Sequence, residues 1–270
     1  MSAITVTMTG GEVARSGSRA VAALARREAY RIGTHPVGLV LLLYFLVLGE
    51  AQATSDGLAA RDAVHHVLLI VGLLWFGPAT FFVTNLVASS AHRSHAESQL
   101  AAAPLSPSAR TLATCLGVLG PTAVASGFAA VLWLVEHAGD SVGRVQGVAE
   151  LAVIPLCTLG GGLLGAAVAR WLPWRGLPLV VLFALIAWVV AVMEHGAVWW
   201  TAPWTMSPAY YQTYTMGAGS HAWHAVYLLG LSLLAGVAAL LRHRPHRRLL
   251  LALAAVAWIG TIAAGWAQLP

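Results

Sequence analysis

The 270-residue chain is 59% hydrophobic and 9% charged, with a mean hydropathy of +0.76 and a formal net charge of +5. A soluble domain carries roughly 25% charged residues, so this composition leaves little of the chain for one and points to an all-α, polytopic membrane protein. A pI of about 9.8 would suggest nucleic acid in a soluble chain, but in a membrane protein basic residues mark the cytoplasmic side, and no nucleic-acid partner is expected.

Residues 1–35 form a polar, basic start. Within it, residues 18–33 (SRAVAALARREAYRIG) have the period of an amphipathic helix, with Val21, Ala25 and Ile32 on one face and Arg19 and Arg26 opposite. That pattern fits a helix lying in the inner interface, its Arg26, Arg27 and Arg31 toward headgroups; a basic tail that only sets topology is the other reading. The first apolar run, about 36–54, is interrupted by Glu50, and Ala51 to Ala53 can complete its last turn. With a long basic segment before it and no small-residue cleavage site after it, it is expected to act as its own uncleaved signal.

The second run, about 63–89, contains Gly77-Pro78, where a bend is expected. Then RSHAESQLAAAPLSPSART, residues 93–111, breaks the apolar pattern. Ala, Glu, Gln and Leu favour a short helix over Ser94 to Ala103; Pro104 ends it, and Pro107 stiffens the chain ahead of Arg110 at the foot of the next run. A rigid helix between two spans can transmit force; an ordinary loop is the alternative. Third and fourth runs come at about 109–135 and 148–170. The fourth holds Gly161 and Gly165 at GxxxG spacing, suited to close packing within the chain or to a seam between two copies. Pro155 is expected to bend it. Cys115 and Cys157 lie inside apolar runs and read as core residues.

A fifth run spans about 177–194. The segment after it, about 195–220, carries Trp199, Trp200, Trp204, Tyr210 and Tyr211, broken by Pro203 and Pro208. An aromatic belt explains much of this. A sixth run covers about 221–241, and residues 242–270 hold a basic loop and a seventh run, about 249–268. His65, His66, His137, His195, His221 and His224 would fall on one side of the membrane, with Glu194 nearby, but no spacing among them is that of a metal site; a membrane-embedded metal or haem oxidoreductase using them is the alternative function.

With seven spans and the N-terminus inside, 13 of the 15 basic residues, every one an Arg, are cytoplasmic. Only Arg61 and Arg144 fall outside, and the inner and outer sides carry +10 and −5. Arginine bias orients a membrane protein, so a multi-pass protein of the plasma membrane is expected, with its N-terminus cytoplasmic and its C-terminus outside.

Two stretches resemble the ABC-2 family of permeases, the membrane subunits of type-V-like ATP-binding-cassette exporters. ARREAYRIGTHPVGLVLLLY (25–44) looks like the family's entry helix leading into the first span. HAESQLAAAPLSPSART (95–111) looks like its coupling segment, matching at Glu97, Leu100, Ala103, Pro104, Leu105, Ser106 and Arg110, and departing at Ser98-Gln99, where Gly-Thr is common. The resemblance implies a six-span permease domain over 36–241, a coupling helix at about 93–108 and an outer re-entrant gate at about 195–220; the seventh run is an addition. It further implies ATPase-coupling residues Arg93, Glu97, Leu100, Pro104, Leu105 and Arg110, a second permease subunit, and outward movement of an amphipathic or hydrophobic substrate (a drug, lipid or peptide). The chain has no Lys and no G-x-x-x-x-G-K-[ST], hence no Walker A loop. No catalytic residue, cofactor or metal is assigned to it, and ATP and Mg belong to a separate ATPase subunit.

Overall fold

The computed structural model describes residues 10–55, 71–94, 105–137, 147–193, 201, 220–243 and 246–269. Among these the chain is helical and contains no strand. Helix α1 covers Gly10–Gly33 and α2 covers Pro36–Ser55. A π-helical stretch, Val71–Ala79, runs into α3 (Thr80–Ala88), followed by the single turn α4 (Ser90–Arg93). Then come α5 (Pro107–Gly117), α6 (Leu119–His137), α7 (Val148–Leu151), α8 (Val153–Trp171), α9 (Leu177–Met193), α10 (Ser220–Leu241) and α11 (Arg247–Trp266).

Among the described residues, four helical segments are long and apolar enough to cross a bilayer: Pro107–Leu134, Val148–Trp171, His221–Leu241 and Arg247–Trp266. They fit a membrane protein. The sequence led to an expectation of seven spans. Of the rest, α9 has 17 residues, short of the roughly 20 that a hydrocarbon core needs, and the second run is described only from Val71 onward. The first run joins α1 as a bent pair, Gly17–Gly33 with Pro36–Gln52, turning by 40°.

Proline placement explains several boundaries. Pro36 and Pro107 each occupy a first helical turn, where a missing N–H costs nothing. The Ser106 hydroxyl accepts from the Ala109 amide at 3.2 Å and caps α5. Breaks at Val118 and Ala152 each fall three residues before a proline, Pro121 and Pro155, because proline cannot donate to the turn behind it. The expected disturbance at Gly77-Pro78 takes the form of the π-helical stretch, a widened ladder that accommodates a proline.

Helix α8 is the centre of the bundle, with 67% of its spanning window buried, against 22% for α11 at the rim. It packs on α3, the π-helical stretch, α6 and α10. In lipid, apolar surface gives helices no reason to associate, so close backbone approach matters more. A Cβ on Gly161 would collide with the Gly77 carbonyl, and one on Gly165 with the Phe81 carbonyl. The GxxxG spacing therefore serves packing inside this chain. Cys115 and Cys157 are buried in the core.

Helix α1 departs from a simple interfacial helix. Ala25, Glu28 and Ile32 are buried, and Val21 half-buried, on the face that packs along α5 and α6. Gly117 permits this, since a Cβ there would sit 2.9 Å from the Glu28 Cβ and 3.2 Å from the Ala25 carbonyl. The apolar face is thus covered by protein, while Arg19, Arg26, Arg27 and Tyr30 stay exposed.

Candidate functional site

The arginine-bearing end of the bundle gathers two clusters. In the first, the α1–α2 corner meets the end of α3. The Glu28 carboxylate pairs with the Arg31 guanidinium at 3.0 Å. The other Arg31 terminal nitrogen donates to the Ser90 hydroxyl at 3.5 Å, and Arg93 donates to the Leu86 carbonyl. Ser90 donates in turn to Val87, Ser89 to Asn85, and the Asn85 amide to the Gly165 carbonyl of α8. Two sets of hydrogen bonds therefore meet on α3: one holds its end to Arg31, the other holds Asn85 to the central helix. His35 closes the corner: its Nδ1 accepts from the Val37 amide at 3.3 Å. Partial burial, with Arg31 and Arg93 nearby, holds its pKa below the usual histidine value, so the ring is neutral at pH 7.

The second cluster joins the first turn of α5 to the ends of α8 and α10. Trp171 donates from its indole to the Ala238 carbonyl at 2.7 Å, and the Arg242 guanidinium lies 5.7 Å from its ring centroid. Burial, then Arg170, Arg242 and Arg110 in order of effect, lowers the pKa of His243.

Of the residues assigned to ATPase coupling, Arg93 joins Arg31 in the first cluster, and Arg110 lies in the second. Leu105 is half-buried just ahead of α5. Arg26 and Arg27 stand exposed on α1. Glu97, Leu100 and Pro104 lie outside the described residues, as do Trp199, Trp200, Trp204, Tyr210 and Tyr211 of the aromatic segment.

Within the apolar zone, α8, α9 and α10 enclose a cavity of about 460 Å³. Leu156, Leu185, Trp188, Leu228, Leu231 and Ala235 are among its walls. Its polar groups are engaged: Tyr227 donates to the Thr201 carbonyl at 3.1 Å, and Ser232 to the Leu228 carbonyl at 2.7 Å.

At the opposite end, the Glu150 carboxylate accepts from the Gly147 amide at 2.9 Å and lies 3.4 Å from His221 Nε2. His224 and Gln268, both fully buried, share a 2.8 Å hydrogen bond that ties the end of α11 to α10. Among the described residues no three His, Cys, Asp or Glu side chains are placed to hold a metal ion.

Sequence reasoning missed Glu28, Ser90, Asn85 and Gln268. Glu28 carried a readable signal, because it falls on the same helical face as Ala25 and Ile32. No family model matches the chain, and neither a curated protein nor a solved structure matches it.

Proposed function

We propose that the chain is the permease subunit of an ABC-2 type exporter, driven by a separate ATPase chain and acting with a second permease subunit. On this reading the permease domain has six spans plus the added α11. The N-terminus is cytoplasmic, the C-terminus is outside, and the protein resides in the plasma membrane. The observation that carries the reading is the Arg31–Ser90 link. It joins the N-terminal helix to the turn that opens the segment between the second and third spans. A force applied to either would reach the end of α3, whose Asn85 amide holds the Gly165 carbonyl of the central helix α8.

The sequence supports the division of labour, since a chain without a Walker A loop needs ATP and Mg to be handled by a partner. The apolar cavity beside α9 supports a hydrophobic or amphipathic cargo (a drug, lipid or peptide). The test is coexpression with a candidate ATPase subunit and purification in mild detergent. The proposal expects the two chains to elute together. Repeated recovery of this chain alone, with the ATPase folded and abundant, would refute it.

A further inference from the structure

An open groove of about 460 Å³ lies at the arginine-bearing end, between the α1–α2 corner and the end of α3. Arg31, His35, Ser90 and Arg93 supply its polar wall, and Leu86 and Val87 its apolar one. Among the described residues no carboxylate lines it; Glu28, the nearest placed by a contact, is buried and held by Arg31. The contacts of Arg31 and Arg93 use a minority of the five N–H donors that each guanidinium carries. Because the Val37 amide donates to His35 Nδ1, the hydrogen of the neutral ring is on Nε2, which makes the ring a donor as well. Two guanidinium groups and an imidazole N–H around one space form a receptor for a phosphate. Directly beyond the corner, α2 turns Leu39, Val40 and Leu43 outward, exposed among the described residues. A phosphate receptor at the start of a helix whose next two turns expose apolar side chains matches an amphipathic ligand.

We propose that this groove is a lipid headgroup site. It takes the phosphate of an anionic phospholipid from the leaflet at the arginine-bearing end, with the acyl chains along α2. Basic pockets between membrane helices hold anionic headgroups in this way. Arg31 and Arg93 come from elements 62 positions apart in sequence, so a bound phosphate clamps the α1–α2 corner to the turn that opens the interspan segment. The site does not depend on the permease reading.

The test uses the full-length chain in a nonionic detergent, with lipid binding followed by native mass spectrometry. Phosphatidylglycerol should bind about tenfold more tightly than phosphatidylcholine, ~1.4 kcal/mol, and excess inorganic phosphate should not displace it. Arg93→Gln should remove most of that preference, and Arg93→Lys should keep part of it. Should Arg93→Gln fail to fold for want of its bond to Leu86, His35→Phe, which keeps a ring but has no N–H to donate, should weaken phosphatidylglycerol binding in the same direction. Arg175→Gln, on the exposed turn between α8 and α9, should bind as the wild type does. Equal affinity for the two lipids, or wild-type phosphatidylglycerol binding by both Arg93→Gln and His35→Phe, would overturn the proposal. Displacement of the lipid by inorganic phosphate would overturn the lipid as the source and leave a site for free phosphate.

Discussion

Two glycines in comparable helical settings should respond to alanine in opposite directions. At Gly165 a Cβ would strike the Phe81 carbonyl, a backbone atom that cannot rotate away. Gly165→Ala must therefore push α3 from α8, at a cost of about 1–3 kcal/mol if it behaves as an overpacked core. At Gly127 nothing lies within 4 Å of the added Cβ, so Gly127→Ala should stabilise by about 0.5–1 kcal/mol through helix propensity. Thermal unfolding in detergent reads both. The GxxxG pair was legible in the sequence, but not the surface it meets, since a spacing carries no record of its partner.

His35 and His243 make a pH prediction. Both have folded pKa values below the ordinary 6.5, from burial first and then from neighbouring arginines. The unfolded chain therefore binds more protons than the folded one in the window between the lowered values and 6.5. The resulting stability is present above pH 6.5 and lost as pH falls through the lowered values. A His35→Gln, His243→Gln double variant should lose less thermal stability between pH 7.5 and pH 5 than the wild type, with pH as the only variable; an equal loss would remove these histidines from the account.

Among elements, α11 is the test of what the sequence could say. Its apolar length was plain, yet nothing charged comes after it to confirm a span. The structure attaches it through side chains: a Cβ on Gly230 would meet Thr261, and Gln268 bonds the buried His224. Gln268→Ala should cost about 1 kcal/mol, the usual value of one intramolecular hydrogen bond, seen as a lower unfolding temperature in detergent. Helix α1 gives the complementary lesson. Its amphipathic period was readable, but lipid and protein both satisfy an apolar face, and only the buried carboxylate of Glu28 on that face discriminates between them. The apolar cavity was illegible, because it depends on how α8, α9 and α10 are placed against one another.

For the whole molecule, the helical class and membrane location follow from composition, while the spans, orientation and partners of the proposed permease rest on arginine sorting and two short resemblances. Orientation can be checked apart from function. An Arg93→Cys variant in intact cells should react with a membrane-impermeant thiol reagent only after the membrane is opened; labelling from outside would reverse the topology.

On the proposed permease reading, the coupling segment links that topology to work. Glu97→Ala should leave expression and unfolding temperature near wild type, since on that reading it lies outside the hydrocarbon, where a surface substitution changes stability by less than about 0.5 kcal/mol. It should weaken ATPase association by a factor of about 30 or more, as loss of a charge from a docked interface costs about 2–5 kcal/mol. Arg110→Ala should act in the same direction but also disturb the cluster around His243, so its unfolding temperature should fall.

The most direct measurement of the central claim is transport by this chain in liposomes with its candidate ATPase, tracking a fluorescent hydrophobic cargo. The account predicts movement that requires Mg and ATP, stops when the ATPase is omitted, and is strongly reduced by Glu97→Ala. Cargo movement at the same rate with and without ATP, in liposomes where both chains are folded and bound, would contradict it.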